Sequence, residues 1–444
     1  MRKFCRAVVV TCVIVGGVLA QGEVLYPPRF VVLDGAPKIP SSISKTFERY
    51  ETSSADSLLG WDPVKVEPII VRQPSTDLGG IYRVEGPEAS AQLIRRLPSD
   101  TYDIYLNRHQ GYPIFRVDVS YGAERMQLYR SDLGNGSLVL LSDGKSKNYY
   151  PVFSNTGARL MYSSTKRNGK HMDIYLVDPL DPKSDHMVAQ LDGEEWAVID
   201  WSPDDRRVIL LDYRMASESY LWILDIATGN KTRLTDPPDS GKVSNGPYAQ
   251  FSKDGRGVFH ITDRRSEFRR LAYIDVATKR YTYLTNHINW DVEELALSPD
   301  RRLLAFTTNE RGLSRLHLLE AATRREIRLQ ETPNGVIEKL VWHNDGVHLG
   351  FGFTSGAVPG DIYSVDVRDG RLQRWTSSNV INAVDSPEPE VITWKSFDRS
   401  IPGLLYRPRQ SSAVGGLSSF RFTAVRANKL GRRFEPATII SRQS

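Results

Sequence analysis

A unit of 45 to 50 residues recurs seven times along the chain, and this periodicity limits the possible folds more than any other feature. Each unit has an anchor, an apolar residue followed by a small or polar one and then a turn. The anchors are Trp61-Asp62, Leu106-Asn107, Phe153-Ser154, Trp201-Ser202, Phe251-Ser252, Leu297-Ser298 and Trp342-His343, spaced 45, 47, 48, 50, 46 and 45 residues apart. After most anchors comes an apolar–Asp step, at Asp132, Asp178, Asp225, Asp275 and Asp366. A Leu-Thr-like close follows at Leu141-Ser142, Leu234-Thr235, Leu284-Thr285 and Trp375-Thr376. In the unit anchored at Trp201, residues 208–211 and 221–226 are short β-branched and aromatic runs of strand length. Pro203-Asp204-Asp205 and Ala227-Thr228-Gly229-Asn230 bound them, and Gly or Asn there can take the positive φ of a tight hairpin. One such antiparallel sheet cannot bury both its faces, so it needs neighbours. A period of about 40–50 residues with four short strands per unit is the signature of a β-propeller. The expected fold is all-β, a propeller of seven blades, each of four antiparallel strands. Residues 92–97 have helix-like composition, but the repeat assigns them to the closing strand of the first blade.

The propeller is expected to span 43–386, after an extended lead-in at 21–42. A short helix could form over 43–50, just ahead of the first blade. Residues 1–20 differ from both: Arg2, Lys3 and Arg6 precede an apolar run ending in Val18-Leu19-Ala20. That pattern reads as a secretory signal peptide cut after Ala20, too short and glycine-interrupted for a span of about 20 residues. The protein is therefore expected to be exported, periplasmic or secreted, with no membrane attachment after cleavage. Both cysteines, Cys5 and Cys12, fall inside this segment, so the mature chain would have no disulfide.

The formal charge of +5 is unevenly spread. The first 20 residues hold three cations, and eight Lys/Arg against Glu435 make the stretch from Arg407 onward +7, leaving 21–406 at −5. A mildly acidic body removes the electrostatic case for nucleic-acid binding.

After Ser386 the repeat stops. Pro387-Glu388-Pro389-Glu390 reads as a linker and 391–408 as a β-hairpin turning at Asp398 to Ser400, so 387–408 are linker and hairpin. Residues 409–444 show no strand or helix period and are expected to be a disordered basic tail.

The repeats resemble the propeller of the prolyl oligopeptidase-like serine peptidases (the S9 peptidases), and more distantly that of TolB. The resemblance rests on Gln127-Leu128-Tyr129-Arg130-Ser131-Asp132 with Leu140-Leu141-Ser142-Asp143-Gly144, on 162–169 with Asp173-Ile174-Tyr175, and on 262–268. It covers roughly 40–408, and 391–408 is similar to the first hairpin of that family's α/β-hydrolase domain. It implies the propeller portion of a peptidase in which the propeller covers the active site and admits short peptides or acyl-peptides. The family's catalytic domain carries a Ser-Asp-His triad with its Ser on a Gly-x-Ser-x-Gly elbow. Here Gly352-Phe353-Thr354-Ser355-Gly356 has the wrong spacing, Gly416-Leu417-Ser418-Ser419-Phe420 lacks the second Gly, and no His follows His348. The expectation is a truncated hairpin, no catalytic residues and no peptidase activity; a frameshift near Gln410 would account for the tail. The alternative is a TolB-like periplasmic propeller that binds a protein or peptide at its face.

Other chemistry is sparse. The eight histidines are scattered and sit in no ligand spacing with carboxylates, so no metal site and no cofactor is expected. Acidic pairs such as Glu293-Glu294 and Asp204-Asp205 read as solvated turns. Arg264, Arg265, Glu267 and Phe268 lie on a turn that, by the resemblance, corresponds to a blade-connecting loop, and they are the candidate substrate-admitting loop.

Overall fold

The computed structural model describes residues 24–26, 32, 34–35, 39–45, 55–73, 79–378, 389–396, 399–406, 417–421 and 438–442, with short gaps at 121, 133–134, 194 and 239–240. The chain divides into two compact units, Met1–Thr52 and Ser53–Ser444. In the first, Val24 bridges Pro40 and a helical turn occupies 41–45; the signal-peptide segment and the rest of the expected helix lie outside the described residues.

The second unit holds seven blades in chain order, at 55–96, 101–140, 148–189, 196–233, 245–283, 291–320 and 336–374. Each is an antiparallel meander in strand order, and the first strands of successive blades pack on one another, so the first strand is the innermost. Residues 92–96 form the closing strand of blade 1, as the repeat requires. The sixth blade has three full strands (Asp291–Leu297, Leu303–Glu310, Leu313–Glu320). Its fourth is reduced to a single bridge between Leu319 and Glu326, with Ile327 N–H donating to Leu318 O at 2.8 Å.

The repeated residues have repeated jobs. Every anchor is the last residue of its blade's inner strand: Trp61, Leu106, Phe153, Trp201, Phe251, Leu297 and Trp342. The following residue closes the turn by backbone pairing five residues on, as in Ser202 N–H to Arg207 O and Ser298 N–H to Leu303 O, both 2.8 Å. In the Ser-x-Asp turns the hydroxyl donates to the carboxylate, Ser202 to Asp204 at 2.6 Å and Ser252 to Asp254 at 2.7 Å. The tryptophan anchors also reach backwards. Trp61, Trp201 and Trp342 donate Nε1–H to the carbonyls of Val341, Val152 and Ala296, in each case the residue just before the preceding blade's anchor. One indole thus satisfies its own donor and locks two blades together.

The closing Thr or Ser is equally specific. Its hydroxyl accepts a backbone N–H from the third strand: Leu128 to Ser142, Leu221 to Thr235, Leu271 to Thr285 and Ile362 to Thr376, at 2.8–3.0 Å. Thr235→Val keeps the shape and leaves the Leu221 N–H without that buried acceptor. It is expected to cost about 1–3 kcal/mol, read as a lowered denaturation midpoint.

Between blades the core is continuous. One face of blade 4 (Val198, Val208, Leu210, Leu224) packs on Met161 and Ile174 of blade 3, and its other face (Ile209, Leu211, Leu221) on Phe251 and Val258 of blade 5. The ring closes without sharing a strand. Blades 1 and 7 meet through Leu58, Trp61, Ile70, Ile362 and Trp375, with Asp56 N–H on Gly360 O and Glu88 N–H on Trp375 O.

Beyond the propeller, Glu390–Ser396 pairs with Arg399–Tyr406 as the expected hairpin. The sheet continues through Leu417–Arg421 and Thr438–Arg442, where the sequence reading expected no strand. The hairpin's outer strand offers unpaired N–H and C=O groups that Leu417–Arg421 joins, and the β-branched Thr438-Ile439-Ile440 pairs in turn with that strand.

Candidate functional site

The meander sorts the loops onto two faces. The turns after the anchors, and those between third and fourth strands, lie on one. The hairpins between second and third strands, and the blade-to-blade connections, lie on the other. The propeller's own ends, the start of Ala55–Trp61 and the end of Arg371–Arg374, emerge on this connection face.

The inner strands surround a central channel, and all seven are irregular. Each slips its register against the second strand, at Leu58/Gly60, Thr101/Asp103, Val198/Asp200, Asn245/Ala249, Val292/Glu294 and Glu338/Val341, and between Tyr149 and Val152. A bulge adds a residue and bends the strand, which a seven-fold ring of strands meeting at an axis requires. Two of the extra residues, Tyr150 and Lys339, have left-handed φ of 55° and 56°. Lys339 is solvent-exposed at its surface yet enclosed by the ring. Burial pushes its ammonium below the usual lysine range, with Asp103 and Glu294 partly opposing the shift. Glu294 is itself held by Tyr248 OH at 3.2 Å and by the Lys339 and Leu340 N–H groups at 3.1 and 3.0 Å, so it joins blades 5, 6 and 7.

At the turn-face end the channel is spanned by one side chain. Arg301, on the turn of blade 6, pairs with Asp200 of blade 4 at 3.0 Å. It also donates to Trp201 O at 3.0 Å, Phe251 O at 2.7 Å and Asn155 Oδ1 of blade 3 at 3.0 Å. Blades 3 and 6 are as far apart as a seven-blade ring allows, so this contact crosses the channel. Asp200 additionally accepts Phe251 N–H at 2.9 Å; burial raises its pKa, and Arg301 opposes that rise. The ties run on round the mouth. Asn155 O accepts from Arg108 of blade 2, and Asn344 Nδ2 of blade 7 donates to Pro63 O and Arg108 O at 3.0 and 2.7 Å. Two cavities of about 170 and 260 Å³ adjoin this network, sharing Leu106, Arg108, Gln250 and Leu297.

Nothing in the acidic and basic turn residues singled out Arg301, but its position did carry a signal. Four residues after the anchor, four of the other six turns are also left-handed, with Gly157, Gly255 and Gly346 at φ of 66–74° and Asp205 at 54°. An arginine in a slot that prefers glycine, at φ 56°, is unusual enough to mark it.

The candidate loop of Arg264, Arg265, Glu267 and Phe268 is the second-to-third-strand hairpin of blade 5, on the connection face. Arg264 donates to Asp236 O at 2.8 Å and lies over the Tyr281 ring, and Phe268 packs near Trp290. Arg265 holds a left-handed turn position. The reading that histidines avoid carboxylates needs correction at one turn. His343, Asp345 and His348 bring their ligand-type atoms within 4.8 Å of one another because the anchor turn folds residues 343 and 348 together. Asp345 lies 3.0 Å from His343 Nδ1 and 2.7 Å from His348 Nδ1. Burial would raise its pKa, but the Val347 and His348 N–H groups and the His348 ring hold it at about 2. His343 stands where other turns use Ser, so the arrangement is that of the turn. A further cleft of about 650 Å³ lies against blade 4 and the connection leading into it, beside Trp196, Trp222, Lys231 and Arg233.

Residues 160–341 match the family described as the dipeptidyl peptidase IV (DPP IV) N-terminal region. No curated protein matches in sequence. Among solved structures, a prolyl endopeptidase superposes with a TM-score of 0.67 at 14% identity, over 85% of this chain and 57% of its own. A puromycin hydrolase superposes at 0.62 and 15% identity, over 81% of this chain and 59% of its own. The chain thus spans less than two thirds of the length of either, and at these identities the likeness is one of fold. The matched segment runs from blade 3 into blade 7, and the seven-bladed propeller fold is the one these two solved structures share with this chain.

Proposed function

We propose that the propeller serves an exported peptidase as the part that admits short peptides, and that residues 1–444 hydrolyse nothing by themselves. The observation that carries this reading is the hairpin 390–406, which follows the last blade in the chain. A sheet begun directly after a propeller of this family stands where the relatives' hydrolase part would begin; a TolB-like binding propeller has no need of it. Hydrolysis needs a nucleophile, a base and an orienting group within hydrogen-bond reach. The sequence has no Gly-x-Ser-x-Gly, and His348, its last histidine, is occupied with Asp345 in a blade-7 turn. Export rests on the basic and apolar pattern of residues 1–20.

The test is direct. The purified chain is assayed with chromogenic dipeptide and acyl-peptide substrates and with a fluorophosphonate that labels activated serines. Neither turnover nor labelling is expected, and either one overturns the non-catalytic reading. Binding of the same peptides without turnover separates an admitting propeller from an inert one.

A further inference from the structure

The two cavities at the turn-face end of the channel surround a cation with no matching anion. Arg108 lines both, and the residues around the larger cavity are otherwise mostly apolar, among them Leu59, Trp61, Leu106, Leu340 and Val341, with polar atoms making up about half of its surface. The other polar groups there are committed: Gln250 Oε1 accepts Leu297 N–H at 2.6 Å, and Asn344 Nδ2 donates to two carbonyls. Arg108 itself makes only a 3.3 Å bond to Asn155 O and a 3.2 Å contact from Nε to His109 Nε2. Among the described residues no carboxylate lies within ion-pair distance of it. The nearby Asp200 is already taken by Arg301, whose own charge repels Arg108.

We propose that this chamber binds a small organic monocarboxylate with an apolar body, the carboxylate on the Arg108 guanidinium and the body against the leucine and tryptophan wall. The fork of a guanidinium matches a carboxylate in two parallel N–H···O bonds, and apolar walls with few placed polar groups are what small-molecule sites have in common. A volume of about 260 Å³ suits a molecule of one amino-acid residue rather than a longer chain. Although Arg108 is exposed at the cavity mouth, partial desolvation there and the nearness of Arg301 lower its pKa, the direction an anion would reverse. The free carboxylate end of a peptide and a free short-chain acid share this chemistry. The inference does not depend on the peptide-admitting role.

Calorimetric titration of the full chain tests it with N-acetyl-leucine, N-acetyl-leucinamide and isovalerate. The acid is expected to bind at one site and the amide at least tenfold more weakly, with Arg108→Gln abolishing the difference. Arg108→Lys keeps the charge without the fork, and should retain a smaller preference for the acid. Isovalerate binding as well as N-acetyl-leucine identifies a free acid as the natural class, and much weaker binding a peptide end. Equal affinity for acid and amide, a preference that survives Arg108→Gln, or no binding of either carboxylate overturns the proposal. Unchanged thermal midpoints for both variants, expected of an exposed side chain, keep the comparison from being one of folding.

Discussion

Arg301→Ala is expected to destabilise the propeller by about 3–5 kcal/mol, a loss read as a lower denaturant midpoint at unchanged slope. The side chain is only 10% exposed, and its partner Asp200 14%. Removing the cation leaves a carboxylate inside the ring with Phe251 N–H as its remaining strong donor, and it also frees the carbonyls of Trp201 and Phe251. The cost of breaking such a pair comes mainly from stranding the other charge rather than from losing the attraction. Two consequences separate this account from a general packing defect. Asp200, already pushed up by burial, would take a proton more readily once Arg301 is gone, so the deficit should shrink as the pH is lowered. Adding Asp200→Asn to the alanine variant should likewise recover part of the loss. A variant as stable as the wild type would show that the brace is ornamental; a deficit independent of pH would show that the stranded charge is not its cause.

Arg301 also shows where sequence reasoning stops. The seven anchors were legible because burial at one strand end and turn chemistry just after it both leave marks on neighbouring residues. The Thr and Ser closers were legible for the same reason, since one local hydrogen bond fixes the residue type. Residues 92–96 were recovered as a strand because the period outweighed their composition. The brace depends instead on Asp200 and Asn155, 101 and 146 residues away, and no local pattern announces such a partner. Only the left-handed backbone slot betrayed it. The strands Leu417–Arg421 and Thr438–Arg442 were missed for a related reason: what makes them strands is an edge supplied from outside their own sequence. Arg264 to Phe268 lie on a loop, as the repeat placed them, with Arg264 against Asp236 and Tyr281 and Phe268 near Trp290.

The second large effect is expected in acid. His260 sits mid-strand in blade 5, fully buried, paired across to Ala249 and Ala272, with the Tyr281 ring 5.8 Å away. Neither ring nitrogen has a hydrogen-bond partner. Burial alone drives its pKa down to about 3, so the folded chain keeps the imidazole neutral throughout the mildly acidic range. In the unfolded chain the ring protonates near its ordinary value of about 6.5. The unfolded state therefore binds the extra proton first. Above pH of about 6.5 the proton-linked cost vanishes, and stability falls as the pH drops from there toward about 3, by about 1.4 kcal/mol per pH unit. Between pH 7.5 and 4.5 this one residue should remove about 2–3 kcal/mol. His260→Leu, of similar bulk, also deletes two unsatisfied buried nitrogens, so it should be neutral or stabilising at pH 7.5. Its advantage should then widen steadily as the medium is acidified. The carboxylates common to both chains cancel in the difference, so the gap between the two stability curves isolates the histidine. Parallel curves across that range would mean that the ring finds a proton acceptor or water inside the blade, and that burial is not what governs it.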